Sequence, residues 1–446
     1  MQFLKKLVNK HTLSLASNAV MPIVGMVTVS LLARNFPDKE EFGYWILFLI
    51  SFTLANFFRS GFQQTSLVKF YSGATEEKAR TVVGSTWVIG LFLTALFVFF
   101  SFITYILYKG TPSTELIIKM FGIIYLCTLP SSVALWVLQA EQRFGRMFVL
   151  ELIGQGSFFI SIVTLIITHK INFQMVLYAY CWSAMTTSLI CIFLGWAKIS
   201  SIAYESRACI KELFNFGKYS VGTSISSYLL RASDTYIIKF MLVDPSAVGV
   251  YYLPQRLMEV IEIPLRSFIA TALPTMSAAI QRNEPLQMTY IMKKYAGILT
   301  VLLIPVSIVA FITADIVIAL IGGPKFIASD AANVFRIFMC FAILLPIDRF
   351  FGISLDILNK PHLNMVKVIL MLVVNIAGDF LGIYIFHNLY GVALSSIFTF
   401  LAGIIYGYWV LKRNLKFKIR DIFYLGIVET KLLIISFFSR ADQKIN

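Results

Sequence analysis

Charged residues are scarce in this chain, and their scarcity decides its broad class. Asp, Glu, Lys and Arg make up 14% of the 446 residues, hydrophobic residues make up 58%, and the mean hydropathy is +0.79. A soluble protein carries about 25% charged residues, so this composition predicts an integral membrane protein. The net charge of +15 would suggest nucleic acid in a soluble chain. Here we assign it to basic cytoplasmic loops and expect no nucleic-acid partner.

Signatures of enzymes and of metal sites are missing as well. The sequence contains no P-loop, no HExxH and no GxSxG motif. Its five cysteines show no CxxC spacing and its four histidines are scattered, so we expect neither a metal site nor a cofactor. The connections between apolar segments are too short to hold an extramembrane domain. We therefore predict that the chain is not an enzyme.

Apolar segments, in contrast, fill most of the chain. A spanning helix needs about 20 mostly apolar residues. By that rule we predict an all-α polytopic membrane protein with about twelve transmembrane helices, at 12–33, 43–66, 83–108, 117–140, 147–169, 174–197, 214–242, 247–279, 292–321, 333–357, 364–387 and 389–411. Segment 422–438 is interrupted by Glu429 and Lys431. It is either a weak thirteenth span or an interfacial helix, and we favour the interfacial helix.

Basic residues and an internal repeat predict the organisation of these helices. Counted from the N-terminus, successive connections lie alternately on the two sides of the membrane. Lys and Arg on the side of the N-terminus outnumber Lys and Arg on the other side by roughly three to one, which predicts that both termini are cytoplasmic. In the second helix Arg59-Ser60 follows Gly43 by sixteen residues, and in the eighth Arg266-Ser267 follows Gly249 by seventeen. We predict two six-helix bundles, 1–197 and 214–413, joined by a cytoplasmic linker at 198–213 and followed by a basic cytoplasmic tail at 414–446.

The stretch 216–279 carries the most conspicuous polar groups. At helical spacing, Arg231 and Asp234 share one face of the seventh helix with three serines, namely Ser220, Ser224 and Ser227. In the eighth helix Glu259, Glu262 and Arg266 share a face, and Arg256 lies beside it. Ionisable groups at membrane depth are costly, so they mark either a substrate path or a structural pair. For Arg231 and Asp234 we leave both interpretations open.

A second set of polar residues lies in the N-terminal half. Asn56, Arg59 and Gln63 share a face of the second helix, and Asn18 lies on the first. Together with Arg231, Arg256 and Arg266, Arg59 would give a cavity more positive charge than Asp234, Glu259 and Glu262 could neutralise. Arginine binds phosphate through two parallel hydrogen bonds and keeps its proton, so this surplus predicts a phosphate or diphosphate ligand. In the tenth helix Asp348, Arg349 and Asp356 fit a structural pair and a site equally well.

Several of these segments resemble the polysaccharide biosynthesis flippases, the O-antigen and oligosaccharide-lipid flippases of the multidrug/oligosaccharidyl-lipid/polysaccharide exporter superfamily. The resemblance rests on EEFGYWILF in the second helix, FGKYS and Arg-Ala-Ser-Asp in the seventh, and SAVGVYYLPQRL followed by LPTMS in the eighth. It implies a MATE-like pair of bundles around a cavity, in the inner membrane of a bacterium. It also implies alternating-access transfer of undecaprenyl-diphosphate-linked sugar repeats for O-antigen, capsule or exopolysaccharide.

The expected partners are therefore a lipid-linked oligosaccharide, membrane lipid and a coupling ion, H⁺ or Na⁺. Two other functions stay open. A cation-coupled multidrug exporter of the same fold would favour an acidic residue in the first helix, where this chain has Asn18. A membrane-embedded glycan polymerase or ligase would need a large external loop, which the sequence lacks.

Overall fold

The computed structural model describes residues 10–442 except 73, 109 and 243. The side chains of 10–20, 218–220, 222–224, 227, 270, 274, 281, 433, 434 and 436–442 are outside the description. The described residues form seventeen α-helices and one 3₁₀ helix, with no strand among them. The prediction of an all-α protein is thus confirmed.

The first eight helices alternate with short connections. They are α1 (Lys10–Asn35), α2 (Lys39–Tyr71), α3 (Glu76–Leu107), α4 (Pro112–Cys127), α5 (Leu129–Ala140), α6 (Phe144–Ile167), α7 (Phe173–Phe193) and, after a 3₁₀ helix at Ile199–Tyr204, α8 (Arg207–Leu242). Polar side chains cap several of their first turns. Asp38, for example, accepts a hydrogen bond from the Glu41 N–H, which satisfies one of the free donors at the start of α2.

Nine helices follow in the rest of the chain. They are α9 (Pro245–Gln281), α10 (Pro285–Ile312), α11 (Ala314–Gly322), α12 (Pro324–Ile327), α13 (Ala331–Ala342), α14 (Leu345–Ile357), α15 (Pro361–Phe386), α16 (Leu389–Lys412) and α17 (Ile419–Asp442). The α9 helix continues as one element past Pro254 and Pro264.

Each predicted span corresponds to one helix or to neighbouring helices. Span 117–140 is divided into α4 and α5, which bend by 40°, and span 333–357 into α13 and α14, which bend by 49°. Pro130 and Pro346 lie just after the two breaks, where the missing N–H of proline weakens the helix. Eight described helices are long and apolar enough to cross a membrane, or ten if each bent pair is one span. The chain is therefore a polytopic membrane protein.

The chain folds as two compact units, Met1–Leu229 and Leu230–Asn446, and the division falls inside α8. In the first unit, α3 packs against the 3₁₀ helix so closely that a Cβ at Gly84 would lie 2.2 Å from the Ser201 carbonyl oxygen. The Trp87 indole donates a hydrogen bond to the Ala197 carbonyl at 2.8 Å. The residues expected to form a linker thus include a segment that packs on α3.

A polar network lies at the end of α5 in the first unit, outside the spans. Glu141 accepts hydrogen bonds from Lys198 at 2.5 Å and from the Tyr71 hydroxyl at 2.7 Å, and it lies 2.8 Å from Arg143. Burial would raise the pKa of Glu141, but the hydrogen bonds from Lys198 and Tyr71 outweigh burial and lower it. Burial would lower the pKa of Lys198, yet its hydrogen bonds to Glu141 and Tyr71 raise it. The pair therefore fastens α5 to the connection after α7 while both groups are charged.

In the second unit the last helix, α17, packs along α10. A Cβ added to Gly297 would lie 2.2 Å from the Ile422 carbonyl oxygen and 2.8 Å from the Gly426 Cα, so only glycine permits this approach. Beside the glycines, Lys294 lies 2.7 Å from Glu429, which also accepts a hydrogen bond from Tyr290. The contact between α17 and α10 thus holds the tail against the rest of the second unit. Its depth in the membrane stays a prediction.

Candidate functional site

Three arginines of the second unit converge on one carboxylate. The Oε2 atom of Glu262 lies 3.2 Å from Arg266 Nη2 and 4.0 Å from Arg231 Nη2, and its Oε1 atom lies 3.6 Å from Arg349 Nη2. These groups come from three helices, since Arg231 is on α8, Glu262 and Arg266 are on α9, and Arg349 is on α14. We call Arg231, Arg266 and Arg349 with Glu262 the arginine cluster.

Helical spacing explains why Glu262 and Arg266 pair. Residues four apart lie on the same side of a helix, and an acid placed before a base is the favourable order. The same face carries Glu259, which pairs with Arg256 one turn earlier. Gln255 donates a hydrogen bond to the Arg231 carbonyl at 2.7 Å, which ties α9 to α8 next to the cluster.

The arginine cluster has more positive charge than its own acid can neutralise. Three guanidinium groups against one carboxylate leave a net charge of +2. The Glu262 side chain is 16% exposed, whereas those of Arg231 and Arg266 are each 54% exposed and that of Arg349 is 39% exposed. Each guanidinium has five N–H donors, far more than one carboxylate can accept. The cluster can therefore bind a further anion without being taken apart.

Arg349 is the member of the cluster that the sequence did not distinguish. Its neighbour Asp348 points elsewhere, to a buried ion pair with Lys367 at 2.6 Å. Asp356 accepts hydrogen bonds from Asn364. Of Asp348, Arg349 and Asp356, only Arg349 thus reaches Glu262. The sequence does contain a signal for this difference. Asp348 and Arg349 are consecutive, and consecutive residues lie on different faces of a helix such as α14.

Arg59 has a different environment in the first unit. It is 1% exposed, and its guanidinium donates hydrogen bonds to the Tyr125 carbonyl, the Asn56 amide oxygen, Thr128 Oγ1 and Ser132 Oγ, at 2.8–2.9 Å. The Tyr125 ring lies against it, 4.3 Å from the guanidinium carbon. These contacts join α2 to α4 and α5. The donors of Arg59 are thus engaged by other residues of the protein. A role of Arg59 as a substrate ligand stays a prediction.

The other polar residues predicted in the first unit are also engaged or lie outside the description. Gln63 is 1% exposed and its Nε2 atom donates a hydrogen bond to the Thr86 carbonyl at 2.9 Å. Asn56 accepts its hydrogen bond from Arg59. The side chains of Asn18, Ser220, Ser224 and Ser227 are outside the described part. For these residues a part in substrate binding stays a prediction.

Asp234 does not pair with Arg231 in the structure. It is buried and accepts a hydrogen bond from the Tyr251 hydroxyl at 2.6 Å, within reach of a second buried carboxylate, Asp379 on α15. Asp379 accepts a hydrogen bond from Ser395. One oxygen of each carboxylate, Asp234 Oδ1 and Asp379 Oδ2, is buried and has no hydrogen-bond partner among the residues whose side chains are described. We call Asp234 and Asp379 the carboxylate pair.

Two further features bear on ligands. Within the described ranges, no group of three or more His, Cys, Asp and Glu side chains is placed to hold a metal ion. A surface pocket of about 380 Å³ is lined by Phe311, Asn333, Arg336, Ile337, Cys340 and Tyr390. It contains none of the predicted site residues, and Arg336 in it is paired with Asp315. We regard the arginine cluster as the better candidate site, because its surplus charge is accessible.

Known structures share this fold over most of its length. An inward-facing multidrug resistance MATE family transporter of the MOP superfamily matches 88% of this chain and 94% of its own, with a TM-score of 0.75 and 15% identity. Lipid II flippase MurJ, in an inward closed conformation, matches 95% and 92%, with a TM-score of 0.73 and 14% identity. At these identities the likeness concerns the fold alone, and it confirms the MATE-like architecture.

Sequence comparisons agree with the resemblance. A curated relative, the probable low-salt glycan biosynthesis flippase Agl15 of Haloferax volcanii, is 25% identical over 276 residues, which are 60% of this chain. The match spans 56% of that relative's length. The model of a family described as polysaccharide biosynthesis protein matches residues 31–331. Since that is more than half of the chain, this protein belongs to the polysaccharide biosynthesis protein family.

Proposed function

We propose that the protein is a flippase that moves a lipid-linked oligosaccharide across the cell membrane, and that the arginine cluster binds its diphosphate. The observation that carries the proposal is the net charge of +2 on three partly exposed guanidiniums. A diphosphate esterified at both ends carries roughly two negative charges, one on each phosphate. Charge and donor geometry therefore match, because guanidinium groups bind phosphate oxygens through paired hydrogen bonds.

In its finer form the proposal names undecaprenyl-diphosphate-linked repeat units for O-antigen, capsule or exopolysaccharide in a bacterial inner membrane. The basic cytoplasmic connections and cytoplasmic termini give the starting side, and two six-helix halves give alternating access. Family membership supports the glycan class, and the relative from Haloferax volcanii is named a glycan biosynthesis flippase. A multidrug exporter fits less well, because a surplus of positive charge repels a cationic cargo.

A reconstituted system tests the proposal directly. Purified protein in vesicles would be given a polyprenyl-diphosphate-linked oligosaccharide, and flipping would be followed by exposure of the glycan to a membrane-impermeant glycosidase. We expect Arg266→Gln to slow flipping at least about tenfold, since a hydrogen bond to a charged group contributes about 1.5–3 kcal/mol. Arg80→Gln is the matched control, because Arg80 pairs with Glu76 on an exposed helix end. Wild-type flipping by both Arg266→Gln and Arg349→Gln would refute the site.

We further propose that the carboxylate pair binds the coupling ion, H⁺ or Na⁺. Two buried carboxylates with unpartnered oxygens are costly unless a proton or a cation lies between them. Nearby oxygens on Asn375, Ser395 and Tyr251 are of the hard type that Na⁺ prefers.

Ion gradients imposed on the same vesicles test this step. Asp379→Asn should abolish the acceleration of flipping by an H⁺ or Na⁺ gradient. Asp356→Asn is the control. Asp356 lies in the same unit, and the hydrogen bonds described for its carboxylate come from Asn364. A gradient response that persists in Asp379→Asn would contradict this assignment and leave the arginine cluster unaffected.

A further inference from the structure

We infer that Glu262 is a built-in competitor of the substrate diphosphate: it occupies the arginine cluster when the site is empty and recaptures the arginines when the substrate leaves. The inference rests on the proposed function, because it assigns a release step to the same site. It concerns an acid at the centre of a site for an anion, where a carboxylate by itself can only weaken anion binding.

Geometry places Glu262 where the anion would lie. Its two oxygens divide the three arginines between them, with Oε1 towards Arg349 and Oε2 towards Arg266 and Arg231. The three separations, 3.6, 3.2 and 4.0 Å, differ by less than 1 Å, so the carboxylate is central to the cluster. A phosphate group presents the same arrangement, with several oxygens on one centre.

The pairing is loose enough to be exchanged. Only the contact with Arg266 is a hydrogen bond, whereas those with Arg231 and Arg349 are ion pairs at longer distance. Partly exposed ion pairs contribute little to stability, because water screens them. A diphosphate with more oxygens and more charge can therefore displace Glu262, and Glu262 can return at little cost.

Other acids near the cluster are already committed. Asp348, next to Arg349 in sequence, is buried with Lys367, and Glu259 pairs with Arg256. Among the described residues, Glu262 is the acid placed to neutralise Arg231, Arg266 and Arg349 together. Without it, three like charges from three helices would face one another, which would separate the helices or trap an anion.

Release is the step that such a competitor serves. A transporter must bind its cargo tightly enough to select it and weakly enough to let it leave. Three unopposed arginines would hold a diphosphate too long, so Glu262 lowers affinity in exchange for turnover. Removing its charge should therefore tighten binding and slow flipping, a combination that a merely structural residue would not produce.

Binding of inorganic pyrophosphate to the full-length protein in nanodiscs, together with flipping in vesicles, tests the inference. Glu262→Gln should lower the Kd for pyrophosphate about tenfold and slow flipping of saturating substrate, whereas Glu262→Asp, which keeps the charge, should stay near wild type in both. Glu76→Gln is the matched control, because it removes the same charge from an exposed pair with Arg80 outside the site, and its pyrophosphate Kd should not change.

The possible results distinguish failure of the competitor role of Glu262 from failure of the proposed function. Weaker or unchanged pyrophosphate binding by Glu262→Gln overturns the competitor, as does equally tight binding by Glu76→Gln. In that case a raised Kd in Arg266→Gln still supports the proposed site. If wild type and Arg266→Gln bind pyrophosphate equally weakly and flip equally fast, the proposed function fails and the inference fails with it. Thermal unfolding of each variant checks that folding is unchanged.

Discussion

Arg59 and Arg266 show how differently two units of one chain use the same side chain. Both were predicted as cavity residues at matching positions of an internal repeat. Arg59 is 1% exposed, with four hydrogen-bond acceptors and an aromatic ring around its guanidinium. Arg266 is half exposed and shares one carboxylate with two other arginines. The first arrangement joins helices and the second presents charge.

The difference lies in the partners that surround each arginine. Arg59 meets a break between two helices, where the carbonyl of Tyr125 and the hydroxyls of Thr128 and Ser132 are available. Arg266 has on its own helix an acid that other cations also approach. A repeat in sequence therefore preserves the helix and the residue type, and the neighbours decide what the residue does.

The largest effect is expected from the deepest ion pair. Lys367 and Asp348 are 2% and 4% exposed, and removing one partner of such a pair leaves a buried charge alone. Lys367→Met should lower the free energy of unfolding by about 3–5 kcal/mol. Thermal unfolding in detergent would measure the loss. A loss below that of Arg59→Ala would show that a buried charge left without its partner does not set the order.

Arg59→Ala tests the N-terminal side of the comparison. The substitution leaves several buried acceptors with fewer donors and opens a cavity beside Tyr125, so we expect a loss of about 2–4 kcal/mol in the free energy of unfolding. The melting temperature in detergent, with Arg80→Ala as control, would report it. Full stability combined with lost flipping would instead make Arg59 a ligand, as the sequence suggested.

Arg266→Ala tests the C-terminal side by the same measurement. Its ion pair is half exposed, so the free energy of unfolding should stay within about 0.5 kcal/mol of wild type while flipping is lost. If Arg266→Ala destabilises the protein as much as Arg59→Ala does, the assignment of different roles to the two arginines is wrong.

The smallest effect concerns pH and the pair of Glu141 and Lys198. The lowered pKa of Glu141 gives stability that is present above its ordinary value of 4.5 and is lost as the pH falls through the folded value. The raised pKa of Lys198 gives stability that is present below 10.5 and is lost as the pH rises through the folded value. Glu141→Gln should therefore flatten the fall in melting temperature below about pH 5. An unchanged acid profile would exclude this pair as its source.

The sequence predicted the helices well because their cause is local. Runs of about 20 apolar residues are long enough to span, whichever helices they later contact. It could not predict which polar groups would be enclosed, since that depends on distant neighbours. Arg59 is held by residues of α4 and α5. Asp234 contacts Tyr251 and Asp379 instead of Arg231. Arg349 reaches Glu262, whereas its neighbour Asp348 pairs with Lys367 on α15.

The contact between α10 and α17 has a consequence for biogenesis. Tyr290 and its acceptor Glu429 are 139 positions apart, so α10 leaves the ribosome long before the helix that covers it. Until then the bare backbone at Gly297 and the ammonium of Lys294 lack their partners. The C-terminal unit therefore cannot close before α17 has left the ribosome. Reporter fusions that replace α17 would trap an unfinished protein.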